Sequence, residues 1–167
     1  MTTSAQLLQD LFDRVRLEAV TLLDGVTAAD LASAPGGNNS VAWLLWHTAR
    51  VQDAQIADVT GQEQVWTAVG WAQRFALPFD DAATGYGQSR QQAAQVTASA
   101  ELLAGYLEAV SARSHAYLGT LRDADLDAIV DDTWDPPVTL AVRLVSIAAD
   151  DLQHVGQAAY VLGMTRY

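Results

Sequence analysis

The chain has 167 residues, half of them hydrophobic and 17% charged, a length that suits one domain and a composition that buries a core instead of staying disordered. Nine basic residues, all arginine, stand against twenty acidic ones for a formal net charge of −11, which argues against nucleic acid and anionic membrane surfaces as partners. There is no cysteine; disulfides, thiolate metal sites, iron–sulfur clusters and a protein thiol nucleophile are excluded, and any thiol chemistry must use a small-molecule thiol.

The opening MTTSAQLLQDLFDRVR turns amphipathic at once, without the basic and apolar regions of a signal peptide. No stretch approaches the roughly 18 apolar residues of a membrane span, so the cytoplasm is the expected compartment. From Ser4, the apolar residues Leu7, Leu8, Leu11, Phe12, Val15, Val20, Leu22 and Leu23 recur at helical spacing until Asp24-Gly25 supplies a stop. Thr27-Ala-Ala-Asp30 reads as a capping box opening a short turn that Pro35-Gly36-Gly37-Asn38 ends. Asn39 or Ser40 then caps a strongly apolar helix from Val41 to Thr60, ended by Gly61. Residues 62–75 have room for a short helix. Pro78, Gly85 and Gly87 make Leu77–Gln88 a long loop, and its Phe79 and Tyr86 imply packing over the bundle end.

Ser89 or Ser99 starts the third long helix, whose Leu102, Leu103, Tyr106, Leu107, Val110, Tyr117, Leu118 and Leu121 carry the helical period. Asp123–Leu126 resembles another capped turn. Trp134-Asp-Pro-Pro137 forbids a helix until Thr139 caps the last one, which runs from Leu140 to about Leu162 with Gly163 as its stop. Four long helices and no strand are predicted: an all-α four-helix bundle over a single domain, residues 1–167.

Chemistry concentrates in the last helix, where Asp150, Asp151 and His154 interrupt the greasy run SIAADDLQHVGQAAYVL. A carboxylate buried without a partner loses several kcal/mol of solvation, so such groups need a metal, a hydrogen-bond network or water. Asp150 and His154 stand at i and i+4, Asp151 and His154 at i and i+3, and either pair can point at one centre. Helical position puts Asp151 nearer the middle of the apolar stripe and Asp150 toward its edge. A third ligand must come from another helix, and His47 lies in VAWLLWHTARVQD toward one border of the second helix's buried face. Two imidazoles and one carboxylate leave coordination positions open, a catalytic and not a structural pattern that suits zinc first, and also nickel, iron or manganese. The competing reading is bland: a core-edge histidine and a solvated acidic face. His115, in ARSHAYL, has no acidic neighbour in the sequence and reads as structural or exposed, and most of Trp43, Trp46, Trp66, Trp71 and Trp134 read as core. No G-x-S-x-G elbow or phosphate-cradling glycine loop is present.

Taken together, SVAWLLWHTARVQD and DDLQHVGQAAYVLG resemble the DinB-like superfamily, and within it the branch of mycothiol-dependent enzymes that includes the N-terminal domain of mycothiol-dependent maleylpyruvate isomerase. The resemblance implies a four-helix bundle with a divalent metal held by a histidine of the second helix and a pair four residues apart on the last. His47 matches the first position, and His154 followed by Gly156-Gln157 matches the last. The remaining ligand then falls on Asp150, where the superfamily more commonly has His and the mycothiol-dependent branch a carboxylate. It further implies a metal-dependent thiol S-transferase activating a small thiol of the mycothiol type for attack on an electrophile, under the 77–88 loop at the open end of the bundle. The alternative is a non-catalytic metal- or small-ligand-binding bundle. Such bundles frequently pair through helix faces, so a homodimer is expected.

Overall fold

The starts of the long helices are set by short polar side chains, Thr3, Ser40, Ser99 and Thr139, which accept from the first free backbone N–H groups. In the computed structural model, which describes residues 1–165, the chain runs through α1 (Ser4–Leu22), the single turn α2 (Ala28–Leu31), a 3-10 turn at Pro35–Gly37 and α3 (Val41–Thr60). It continues through α4 (Val65–Ala68), α5 (Trp71–Phe75), α6 (Arg90–Ala93), α7 (Ala100–Leu118) and a 3-10 turn at Asp123–Asp127. The strands β1 (Ile129–Asp131) and β2 (Val138–Thr139) and the helix α8 (Leu140–Thr165) follow. Thr3 caps α1 through the backbone N–H of Gln6, whose own side chain accepts from Thr3, completing a capping box. Ser40 caps α3 by accepting from Trp43, and Gly61 ends it in the left-handed region at φ 64°. Thr27 and Asp30 form the expected capping box. Both serines proposed as starts of the third long helix are caps: Ser89 opens the single turn α6, and Ser99 opens the long α7.

The four long helices α1, α3, α7 and α8 close a bundle in which α3 packs on α8 and α7, and α1 on α7 and α8. Leu45, Leu103, Leu107, Leu144, Ile147 and Val155 are buried at its centre, each contributing roughly 1.5–3 kcal/mol by leaving water. The expected all-α bundle is therefore the observed architecture.

Two details differ from the sequence reading. The stretch around Trp134-Asp-Pro-Pro137 is not strand-free: β1 and β2 pair antiparallel on either side of it, Ile129 opposite Thr139 and Asp131 opposite Val138. The β-branched residues at 129–130 and 138–139 favour extended backbone once the two prolines forbid helix between them. Gly163 does not stop α8, which continues to Thr165. A glycine inside a helix costs only about 1 kcal/mol, and no left-handed turn forms there.

Candidate metal site

The first half of α3 is buried on every side from Val41 to Arg50. One flank meets α7 and α8, and residues 79–88 lie along another. His47 is thereby held inside the protein, 6% exposed, although its neighbours on α3 are mostly apolar. Asp150 and His154 lie one turn apart on α8, the helix that packs most extensively on α3. The three side chains converge: one ligand atom from each of His47, Asp150 and His154 lies within 4.8 Å of the others. Ligand atoms around one tetrahedral zinc ion lie about 3.3 Å apart, given bonds of about 2.0–2.1 Å, so side-chain adjustments totalling about 1.5 Å close the set. Two imidazoles and a carboxylate are donors that borderline divalent cations accept, and a cation among them would relieve the cost of keeping a carboxylate beside two largely enclosed rings.

The surroundings orient both rings. His47 Nδ1 donates to the carbonyl oxygen of Thr84 at 2.5 Å, and His154 Nδ1 donates to Gln157 Oε1 at 3.0 Å. Each bond fixes the tautomer with the proton on Nδ1 and leaves the Nε2 lone pair free, as a metal-binding histidine requires. His154 Nε2 lies 3.6 Å from Asp150 Oδ1. Trp43 stacks on the His47 ring at 4.5 Å between centroids and is itself anchored through Nε1 to Gln88 Oε1 at 2.8 Å. Burial lowers the pKa of His47, an effect that the Thr84 carbonyl opposes and His154 reinforces.

The Leu77–Gln88 segment thus packs along α3 and not over the bundle end, and access to the three side chains is sideways. A cleft of about 350 Å³ bordered by Gln55, Ser146 and Tyr86 opens on two of them, His47 and Asp150. Of the two aromatics in the segment, Phe79 packs on Trp46 at 6.2 Å, whereas Tyr86 is 92% exposed. Gly85 is required where it lies. Its φ is +99°, and a Cβ there would stand 2.6 Å from His47 Nδ1 and 3.1 Å from the Trp43 ring.

What holds this segment is a buried network that the sequence reading did not find. Arg50, wholly buried, donates to the carbonyls of Asp81 and Ala83, to Gln64 Oε1 and to Tyr106 Oη. Asp53, 3.6 Å from Arg50, accepts from the backbone N–H groups of Val65 and Trp66 at the start of α4 and from Tyr106 Oη, each at 2.8 Å. Arg50 thereby fixes the carbonyls one and three residues before Thr84, the residue that orients His47. A charged pair inside the apolar run of α3 was the available signal, because arginine and aspartate are almost never fully buried unless paired.

The two acids of α8 differ in their surroundings. Asp150 is half-exposed and joins the cluster, whereas Asp151 is 0% exposed with neither carboxylate oxygen hydrogen-bonded. His115 is exposed, as expected, and away from the cluster; its Nε2 lies 3.5 Å from Asp13 of α1, a partner distant in sequence. Sequence neighbours could not show it. Trp43, Trp46, Trp66 and Trp71 are buried, and Trp134 is 67% exposed.

A four-helix bundle with a His/Asp/His cluster between two facing helices defines the class. The chain belongs to the DinB superfamily, whose family model matches residues 11–158. Among solved structures it is similar to a conserved protein from Enterococcus faecalis, with a TM-score of 0.90 and 34% sequence identity over 97% of this chain and 96% of that one. No curated protein matches the sequence. Among the described residues, no helix is long and apolar enough to cross a membrane.

Proposed function

We propose that this protein holds one divalent cation, zinc first among the alternatives, on His47, Asp150 and His154, and uses it as a thiol S-transferase. The observation that carries the reading is the convergence of the three donors with both Nδ1 atoms already engaged by Thr84 and Gln157. When bound there, a divalent cation lowers the pKa of a coordinated thiol and supplies a thiolate at neutral pH. His47 and His154 contribute neutral imidazoles and Asp150 a single negative charge, so the site retains one positive charge to attract the thiolate. The stack of Trp43 on His47 shields that ring from water. The cleft beside Asp150 admits an electrophile from the side. The chain has no cysteine of its own, consistent with a low-molecular-weight thiol of the mycothiol class as the nucleophile.

We also propose a homodimer that meets along the outer face of α8. Val142, Val145, Ala149, Leu152, Gly156, Ala159 and Gly163 alternate there at three- and four-residue spacing, the seam of two packed helices. Val142 and Val145 are 51% and 55% exposed. None of the seven is charged, and a chain of net charge −11 associates with itself most readily across an uncharged surface.

The test of the transferase is turnover. Zinc-loaded protein supplied with mycothiol and a panel of electrophiles should consume thiol, and the metal-free protein and His154→Ala should not. Zinc-loaded protein that consumes no thiol with any of the panel would overturn the transferase and leave a metal-binding bundle.

A further inference from the structure

On the other side of His154 from the Asp150 cleft lies a larger hollow of about 800 Å³, bounded by α8, the 3-10 turn at residues 35–37, the start of α3 and α6. That volume lies within the range of small-molecule sites. Its polar lining consists of Asn38, Asn39, Gln153, Gln157, Tyr160 and Arg90, and although the chain has twenty acidic residues, not one borders it. The rest of the lining is apolar: Pro35, Leu44, Val161 and Met164, with Gly156 of the α8 seam at its border.

Arg90 is exceptional. Every other arginine among the described residues has a hydrogen bond, an ion pair or a ring beneath it: Arg14 with Asp10, Arg16 with Glu108, Arg50 within its network, Arg74 over Trp71, Arg113 with the Glu63 carbonyl, Arg122 with Asp125 and Arg143 with Asp131. Arg90 has none. In a protein with more than two acids for each base, a guanidinium left free at the rim of an acid-free hollow is matched to an external anion. Among the described lining residues there is one cation, Arg90, together with the apolar Leu44, Val161 and Met164, a combination that suits a monocarboxylate with a hydrocarbon or aryl body. A phosphate ester would call for more positive charge or a cluster of backbone N–H groups.

We infer that this hollow binds a small organic carboxylate, its acid group on Arg90 and its body against Leu44, Val161 and Met164, and that Gln157 couples its occupancy to the metal site. Gln157 is the connection: it lines the hollow, while its Oε1 accepts from His154 Nδ1. A bound acid that takes hydrogen bonds from the Gln157 amide polarises the acceptor that orients His154. The ligand so assigned is separate from the electrophile that the Asp150 cleft admits; the coupling rests on the proposed metal site for its role, and the binding itself does not need turnover.

The experiment uses metal-free full-length protein and three probes, benzoate, phenylacetate and hexanoate, with phenylacetamide as the uncharged counterpart of the second. Calorimetric titration should show that at least one acid binds, that phenylacetamide binds more weakly than phenylacetate, and that Arg90→Gln weakens the acid by roughly tenfold to a hundredfold. The acid's affinity should fall as salt rises. The imidazole 15N resonances of His154 should shift on binding in the wild type, and shift less in Gln157→Leu. His154→Ala, which lacks the metal site, should still bind the acid. Binding by none of the three acids, equal binding of phenylacetate and phenylacetamide, or affinity unchanged in Arg90→Gln would overturn the inference. An acid that binds without moving the His154 resonances would overturn the coupling. Because the protein is metal-free and no turnover is read, none of these results depends on whether the transferase reading holds.

Discussion

Replacing Asp151 with alanine should stabilise the protein, the reverse of the usual effect of emptying a fully buried position. Asp151 is 0% exposed and both carboxylate oxygens lack partners, a condition that costs about 1–3 kcal/mol for each unsatisfied polar group. Removing the carboxyl leaves a small void worth about 1 kcal/mol and gains up to about 0.7 kcal/mol of helix propensity. The net is a gain of about 1–3 kcal/mol at pH 7. The pH dependence gives the sharper signature. Burial, reinforced by the neighbouring charge of Asp150, pushes the Asp151 carboxyl well above its ordinary value of 3.8. Between that value and the raised one the folded chain keeps a proton that the unfolded chain releases. Stability therefore falls as pH rises through that window. The advantage of Asp151→Ala should be smallest near pH 4 and grow toward neutrality. Urea unfolding at a series of pH values measures it: with a slope of about 2 kcal/mol/M, the midpoint at pH 7 should rise by about 0.5–1.5 M. A variant less stable than the wild type at pH 7, or a difference flat between pH 4 and 7, would show that Asp151 is not an unpartnered buried acid.

Asp53→Ala should destabilise the fold by about 3–5 kcal/mol, read by the same urea unfolding, because it strands the buried Arg50 charge and uncaps α4. Gly85→Ala should leave a folded protein with zinc affinity reduced by roughly 10–100-fold, since a Cβ at φ +99° collides with the His47 ring; competition with a chelator of known affinity measures it. Gln157→Leu, which removes the acceptor that orients His154, should weaken zinc in the same range. Val145→Asp should convert dimer to monomer in light scattering at micromolar concentration without changing helicity. A monomeric wild type would contradict the α8 interface.

The bundle was legible because its signals are local. Ser40 before an apolar run, Gly61 after it, and Leu144, Ile147, Val155 and Leu162 at helical spacing reflect backbone requirements that hold wherever the helix packs. The β1–β2 hairpin was missed because a pair of strands this short carries no periodicity, and the prolines between them read only as a helix break. At the site, spacing brought Asp150 and Asp151 equally close to His154. Helical position already put Asp151 in the middle of the apolar stripe and Asp150 at its edge, as observed; that this edge faces His47 depends on how α8 packs against α3. The loop that orients His47 acts through the Thr84 carbonyl, a backbone atom that every residue possesses. Its anchors, Arg50 and Asp53, are far from it in sequence, and Asp13 lies farther still from His115; partners of that kind become neighbours only when the chain folds.

The central claim is that His47, Asp150 and His154 bind a divalent cation together, and elemental analysis tests it most directly. Protein purified without chelator and dialysed against zinc should retain close to one equivalent per chain. His47→Ala, Asp150→Ala and His154→Ala should each retain far less while showing the circular dichroism of the wild type, and Asp151→Ala should retain the full equivalent. Zinc well below one equivalent in the wild type, or the same content in all four variants as in the wild type, would contradict the account.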